Sequence, residues 1–196
     1  MSKGRLEAFS DGVFAIVIAL LILDVRLPAG VHVSIAALEQ VLPRIATFVL
    51  SFVVVGVYWV AHHNMLHFIE RVDRSLLWLN LLLLLCVVFI PFPASFLGTD
   101  LRSPLAVRLY GVSLIATNAA GTLFWSYATL GARLTKPEVS REFAWRIVGI
   151  HSAPIAVYAA AVVVATIALA LSLTLFALVP LFFIVPNRWL RRAVGP

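Results

Sequence analysis

Residues 5–27 read RLEAFSDGVFAIVIALLILDVRL, and this stretch decides the fold of the chain. Its continuous apolar run, Gly12–Leu23, is 12 residues long, whereas about 20 are needed to cross the hydrocarbon of a bilayer. A spanning helix must therefore carry Phe9, Ser10 and Asp11 inside or at the edge of the membrane. A carboxylate that faces lipid is costly, so Asp11 is expected to face protein or water. The first helix is consequently predicted to lie centrally, shielded by other helices.

The composition indicates an all-α membrane protein. Of 196 residues, 62% are hydrophobic and 12% are charged, and the mean hydropathy is +1.03. Soluble domains carry about 25% charged residues, so lipid is the expected solvent here. The length suits a single domain over residues 1–196. The net charge of +6 comes from basic residues scattered singly between apolar runs, which is typical of membrane anchoring and not of nucleic-acid binding.

The apolar runs predict six transmembrane helices. Their approximate bounds are residues 5–27, 43–67, 76–97, 105–130, 143–169 and 171–185, with residues 31–41 as a connecting segment. The last two are divided around Leu171-Ser172, because the apolar run from 155 to 185 is too long for one span. With six spans, 11 of the 15 Lys and Arg residues fall on the side of the N-terminus. This asymmetry predicts that both termini are cytoplasmic.

A helical wheel places the large side chains of the first helix in a stripe along one side. The stripe comprises Ile16, Leu20, Leu23 and Leu27, extended by Phe9 and Gly12 and flanked by Ala19. Ser10 and Asp11 point away from it by more than a quarter turn. The stripe has two interpretations: ordinary helix packing, or a pore lined by several copies of this helix. In the second, rings of Ile16, Leu20 and Leu23 narrow the pore, and such hydrophobic constrictions gate by dewetting.

Polar residues of the next two spans are candidates for holding the helices together. His63 and His67 lie four residues apart and could share a metal ion, but no acidic residue lies between them and no metal site is predicted. We expect instead that one or two histidines of this helix hydrogen-bond a buried partner, with Asp11 or Ser10 as candidates. Asn80 in the third span is predicted to join the same network.

Several segments resemble the transmembrane protein 175 family, potassium channels of lysosomes and bacteria. They are Arg5-Leu6-Glu7-Ala8-Phe9-Ser10-Asp11-Gly12-Val13-Phe14-Ala15-Ile16, similar to the family's Arg-x-x-x-Phe-Ser-Asp motif, then Tyr58-Trp59-x-x-His62-His63-Asn64, Leu77-Trp78-Leu79-Asn80 and Pro91-Phe92-Pro93. The similarity covers the first half of the chain well and the rest by span count and placement. The motif is specific because several non-apolar residues coincide in a segment where leucine is the usual choice.

The resemblance implies a homotetrameric, potassium-permeable cation channel of a bacterial plasma membrane, with the first helix of each subunit lining the pore. Family members lack the carbonyl filter loop of ordinary potassium channels, and this sequence likewise has no Thr-Val-Gly-Tyr-Gly. The implied pore constriction is Ile16, Leu20 and Leu23, with Gly12 and Ala19 on its flank. The implied motif and anchoring network comprises Arg5, Phe9, Ser10, Asp11, His63, Asn64, Trp78 and Asn80.

Two positions bear on these expectations. Some relatives carry a hydroxyl residue where this chain has Ala19, and its absence removes one potential cation ligand. The sequence therefore predicts weaker potassium selectivity. Arg5 projects onto the stripe side of an ideal wheel, although the family groups it with the anchoring network. Arg5 therefore has two possible interpretations: it lies at the mouth of the pore, or it belongs to the anchoring network.

The sequence also leaves other classes of function open. A proton-coupled transporter would use Asp11 with His62 or His63 as a relay, although no polar cluster marks a substrate cavity at mid-depth. A non-conducting structural membrane protein is a third class. No phosphate-binding loop, Gly-x-Ser-x-Gly or paired carboxylate indicates an enzyme. The expected partners are further copies of the chain, the lipid bilayer and permeant monovalent cations, with no cofactor besides the permeant potassium ion.

Overall fold

The chain forms a bundle of helices that run alternately up and down. The computed structural model describes residues 2–27 and 30–184, and no extended strand occurs among them. The helices are α1 (Lys3–Leu21, continued by a 3-10 turn, Ile22–Asp24), α2 (Ile35–Phe68), α3 (Arg74–Phe89), α4 (Pro91–Thr99), α5 (Pro104–Ser126, continued by a π-helical turn, Tyr127–Gly131), α6 (Arg141–Val164) and α7 (Leu169–Ile184). We call the end at which α1 begins the lower end and the opposite end the upper end. The predicted end of the sixth span, at residue 185, lies outside the described residues.

Short polar side chains cap the N-termini of four of the helices. Ser34, Asp73, Ser103 and Ser140 each accept a hydrogen bond from the backbone amide three residues further on, at 2.7–3.3 Å. Each bond satisfies one of the amides that a helix leaves without a partner in its first turn. These caps therefore fix where α2, α3, α5 and α6 begin.

The start of α2 differs from the prediction. The helix begins at Ile35, inside the segment 31–41 that the sequence predicts to be a connection, and it continues through Pro43. A proline removes one backbone hydrogen bond and crowds the preceding turn. Here the preceding turns are capped by Ser34, and Ala37 and Val41 are buried against the bundle. The cap and this burial stabilise the helix on both sides of the proline, so the connection is shorter than predicted.

The third predicted span consists of two helices that meet at Ile90. Pro91 has no amide hydrogen and its ring crowds the turn before it. The Ile90 amide bonds to the carbonyl of Val87 at 3.1 Å, which is a tighter turn than an α-helix makes, and the Ala94 amide then bonds to the carbonyl of Ile90 at 3.1 Å. α3 and α4 thus form one helical segment, Arg74–Thr99, with a local tightening.

α6 and α7 form the hairpin that the length of the last apolar run predicts. Its turn occupies residues 165–168, ahead of the predicted break at Leu171-Ser172. The Ser172 hydroxyl lies within α7 and donates to the carbonyl of Ala161 at 2.7 Å, so it joins the two helices. The turn contains neither glycine nor proline, and for that reason the sequence has no local signal for it.

Four helical segments of the described residues are long and apolar enough to cross a membrane. They are Lys3–Asp24, Ile35–Phe68, Arg74–Thr99 and Arg141–Val164. α7 is apolar but has only 16 residues, and α5 has 23 residues and includes Arg108 and Asn118. Together with the composition, these segments identify a helical membrane protein.

Two groups of buried side chains hold the bundle together. In the upper group, the Phe176 ring packs against Tyr110 and Tyr158, with centroids 5.6 and 5.8 Å apart. The Tyr110 hydroxyl lies 3.1 Å from the Ser51 hydroxyl, so this buried polar atom has a partner. The lower group surrounds Trp125 and includes residues from α1, α2, α3 and α6. Both groups place α1 against α2 and α3.

The loops at the lower end are also fixed to one another. Ile69 and Thr135 form an isolated antiparallel bridge between the segments that follow α2 and α5. The Tyr127 hydroxyl donates to the Asp73 carboxylate at 2.7 Å, and the same carboxylate caps α3. The lower ends of α2, α3 and α5 are therefore held in one arrangement.

Gly111 marks a close approach between α5 and the α6–α7 hairpin. A Cβ atom at this position would clash with Val162 Cγ2 and would lie 2.8 Å from Phe176 Cζ. Small residues permit such close contacts between membrane helices. Packing in this part of the bundle therefore requires glycine.

Gly111→Ala is expected to lower the thermal unfolding midpoint of the purified protein in detergent. Overpacking costs about 1–3 kcal/mol, which exceeds the gain of about 1 kcal/mol in helix propensity. Gly149→Ala on α6 is the control, because no atom lies within 4 Å of a Cβ there, and it should leave the midpoint unchanged or raised. Equal midpoints for the two variants would contradict this packing.

Candidate functional site

α1 has two faces of opposite character. Phe14, Val17 and Leu21 are 1%, 1% and 3% exposed and pack into the bundle. Ile16, Leu20 and Leu23, which lie on the other side, are 61%, 42% and 64% exposed. Since large apolar side chains are exposed at every turn of this face, it is a surface that the single chain leaves uncovered.

The flanking residues of the predicted stripe lie on the same exposed face. Phe9, Gly12 and Ala19 are exposed, and Leu27 is partly buried near the upper end. Nothing lies within 4 Å of a Cβ atom built on Gly12. Arg5 is exposed as well, at the lower end of the helix. The structure thus places the predicted stripe, except Leu27, on one exposed side of the first helical segment; Leu27 follows the end of that segment.

A chain of buried hydrogen bonds holds the opposite face. Asn80 of α3 donates from Nδ2 to the Ser10 hydroxyl of α1 at 3.1 Å, and its Oδ1 lies 2.8 Å from Nε2 of His62 on α2. All three side chains are at most 1% exposed. Because a buried polar group without a partner is costly, this chain of bonds fixes both the rotation and the height of α1 relative to α2 and α3.

The orientation of Asn80 determines the tautomer of His62. Its amide nitrogen is used by Ser10, so its oxygen faces His62 and the imidazole must donate from Nε2. In the neutral ring Nδ1 of His62 is then an acceptor, and it has no partner among the described residues. The ring itself is held between Phe14 and Phe124, with centroids 5.5 and 5.8 Å away.

Asp11 is held by a second interaction, at the edge of the exposed face. Its Oδ1 accepts a hydrogen bond from Nε1 of Trp59 on α2 at 2.8 Å, and Asp11 is exposed within the single chain. The His63 ring lies beside Trp59 at a centroid distance of 6.0 Å. Trp59 belongs to one of the segments that carry the family resemblance, but it was not predicted to be a site residue. Its position three residues before His62, on the same side of α2, is a signal that could have identified it.

Several residues assigned to the anchoring network lie elsewhere. His63, Asn64 and Trp78 are exposed, and the structure brings none of them to Ser10 or Asn80. Successive residues of a helix are about 100° apart, so only one of two adjacent histidines can face α1 and α3. The structure places His62 there, and His63 lies beside Trp59 instead. No group of three or more potential His, Cys, Asp or Glu metal ligands occurs in the described part of the chain.

The geometry thus describes a helical membrane protein whose first helix is anchored on one face and uncovered on the other. The family described as "Endosomal/lysosomal potassium channel TMEM175" matches residues 5–91. A protein from Streptomyces collinus named as a potassium channel is 41% identical over 143 residues, which are 70% of this chain and 69% of that protein. The chain belongs to the TMEM175 family.

Two further comparisons agree with this membership. A protein from Chryseobacterium sp. named as a potassium channel is 41% identical over 123 residues, and the match covers 63% of each chain, less than two thirds of that relative. A crystal structure of a lysosomal potassium-selective channel TMEM175 homolog from Chamaesiphon minutus superposes with a TM-score of 0.82 at 29% identity. That match covers 92% of this chain and 95% of the other, so the arrangement of helices is shared over nearly the full length.

Asn80→Leu is expected to destabilise the protein by about 1–3 kcal/mol, because it leaves both Ser10 and His62 without a buried partner. Asn64→Leu makes the same chemical change at an exposed position of α2 and should change stability by less than about 0.5 kcal/mol. Thermal or denaturant unfolding of the purified variants measures both. Equal stability of the two variants would show that the buried network does not anchor α1.

Proposed function

We propose that the chain is a subunit of a potassium-permeable cation channel whose pore is lined by α1. The observation that carries the proposal is the exposed face of α1. Ile16, Leu20 and Leu23 are uncovered while the reverse face of the same helix is fixed by Ser10, Asn80 and His62. Two bacterial relatives that are named as potassium channels support the choice of cation.

Four copies around a central axis would cover this face. α1 would then meet the α1 helices of the other subunits, and Ile16, Leu20 and Leu23 would form three apolar rings. Such rings exclude water at rest and conduct when they widen enough to be wetted. Gly12 and Ala19 are small residues, and small residues allow neighbouring helices to approach closely. With Ala19 instead of a hydroxyl residue, no side-chain ligand for the cation lies on that turn, and we expect modest discrimination between potassium and sodium.

The proposed topology has six spans with both termini in the cytoplasm of a bacterial cell, within the plasma membrane. The six helical segments α1, α2, α3–α4, α5, α6 and α7 support the count. α5, with 23 residues, is about 35 Å long and so can cross the hydrocarbon. Lys and Arg residues cluster in the lower loops, between α2 and α3 and between α5 and α6, which supports a cytoplasmic lower end.

The geometry does not favour the alternative of a proton relay. A relay from Asp11 to a histidine needs a hydrogen bond or a bridging water between them. Asp11 bonds to Trp59, and His62 bonds to Asn80. Among the described residues, no direct hydrogen bond joins Asp11 to a histidine, so the buried network is better suited to anchoring than to transferring protons.

Ile16→Asn is expected to raise the unitary conductance and to weaken the discrimination between potassium and sodium, because a polar ring removes part of the dewetting barrier. A barrier lower by about 1.4 kcal/mol corresponds to about tenfold faster passage. Recordings from the reconstituted protein measure both properties. Val163→Asn is the control, since Val163 is 68% exposed on α6 and lies outside the proposed pore. Currents that are the same for Ile16→Asn and the wild type would contradict the ring at this position.

Leu20→Cys is expected to form disulfide-linked dimers of subunits under mild oxidation, because the proposed pore brings copies of α1 together. The experiment uses a Cys86→Ala background, which removes the single native cysteine. Val163→Cys in the same background is the control and should stay monomeric on a non-reducing gel. Efficient cross-linking through Val163 with none through Leu20 would place a different face at the subunit contact.

A further inference from the structure

A polar pocket lies at the upper end, where the end of α1 meets α2 and α4. It has a volume of about 170 Å³, far more than the roughly 10–15 Å³ that admits one water molecule. Its polar lining residues are Asp24, Arg26, Arg44, Thr47, Ser95 and Thr99. None of these residues belongs to the stripe or to the anchoring network.

Thr47 is the buried polar residue of this pocket. It is 4% exposed, and its hydroxyl has no hydrogen-bond partner among the described residues. Buried hydroxyl groups almost always have a partner, since leaving one unpaired costs about 1–3 kcal/mol. Thr47 lines the pocket, so a group that enters the pocket and reaches this hydroxyl would supply the missing partner.

Two guanidinium groups line the same pocket. Arg44 uses one of its N–H groups to donate to the backbone carbonyl of Arg26 at 3.1 Å. Neither arginine has a carboxylate oxygen within 4.0 Å among the described residues, although Asp24 also lines the pocket. Two positive groups and one negative group leave the lining with a net positive charge and with several unused donors.

Gly98 of α4 fixes the position of these donors. A Cβ atom at Gly98 would lie 3.3 Å from Arg44 Cα, 3.5 Å from Arg44 Cγ and 3.6 Å from Thr47 Cβ. Since glycine has no such atom, α4 packs directly on the turn of α2 that carries Arg44 and Thr47. The side chains of Arg44 and Thr47 thus extend from a tightly packed part of α2. Ser95 lies one turn before Gly98 on α4.

We propose that this pocket binds a phosphate group through Arg26, Arg44 and Thr47. Guanidinium groups bind phosphate oxygens with paired hydrogen bonds, and a tetrahedral oxyanion can accept from both arginines and the hydroxyl at once. The phosphate can belong to inorganic phosphate or to a lipid headgroup. When bound, it holds the segment after α1 against α2 and α4. The proposal concerns binding and does not depend on ion conduction.

The test is a thermal unfolding titration of the purified protein in a phosphate-free detergent. One arm adds inorganic phosphate at constant ionic strength with chloride as the balancing anion. The other adds phosphatidylglycerol, with a neutral diacylglycerol as the control for the acyl chains. The variants are Thr47→Val, which keeps the shape but removes the hydroxyl, and Arg26→Gln, which removes an exposed charge. Arg102→Gln, in the loop after α4 and outside the pocket lining, is the matched control.

We expect the ligand to raise the unfolding midpoint of the wild type and of Arg102→Gln in a saturable way. Thr47→Val and Arg26→Gln should each raise the half-saturating concentration about tenfold, because each removes a donor to a charged ligand. If inorganic phosphate raises the unfolding midpoint, the pocket binds a free oxyanion. If only phosphatidylglycerol raises the midpoint, the pocket binds a lipid headgroup. No response in either arm, or a response that Thr47→Val and Arg26→Gln leave unchanged, overturns the proposal.

Discussion

The burial of Ser10, Asn80 and His62 inside an otherwise apolar bundle is the constraint on which the rest of the structure depends. Neither lipid nor the surrounding apolar side chains can satisfy these polar groups, so each of the three side chains must find a partner on an adjacent helix. The bonds from Asn80 to Ser10 and to His62 meet this need only at one rotation and one height of α1. A hydrophobic stripe alone would allow the helix to slide or turn at little cost, whereas this network does not.

Because one face of α1 is anchored, the side chains that the other face exposes are also determined. Once Ser10 is turned inward, Ile16 must face outward, because it lies about a third of a turn away on the same helix, and Leu20 lies at the edge of the exposed face. Asp11 lies between the two faces and is held by Trp59 of α2. At the upper end, the pocket around Thr47 touches the segment after α1, and it offers a second point at which α1 can be held. A helix fixed from behind leaves an apolar surface that we assign to a pore.

The sequence allows much of this to be predicted, because strong constraints act locally. The wheel correctly separates the stripe from Ser10. The shielding that Ser10 and Asp11 predict for the first helix is incomplete in the single chain, where Asp11 and the stripe are exposed. Asn80 is a buried amide among leucines, so its place in a network is also predictable. The choice of His62 over His63 depends on the rotation of α2, and neither residue alone encodes it. Likewise, the early start of α2 follows from packing of Ala37 and Val41, and the turn between α6 and α7 has no glycine or proline to mark it.

The most direct test of the central claim compares two nearby positions at the upper end of the first helical segment, Lys3–Asp24. Leu23 is 64% exposed and Leu21 is 3% exposed, so a pore lined by α1 exposes one to water and buries the other. The measurement is the change in potassium current of the reconstituted Leu23→Cys and Leu21→Cys variants, in a Cys86→Ala background, on adding a charged methanethiosulfonate reagent. We predict that the reagent blocks current through Leu23→Cys and leaves Leu21→Cys unaffected. Block at Leu21→Cys alone, or at neither position, would contradict a pore lined by the exposed face of α1.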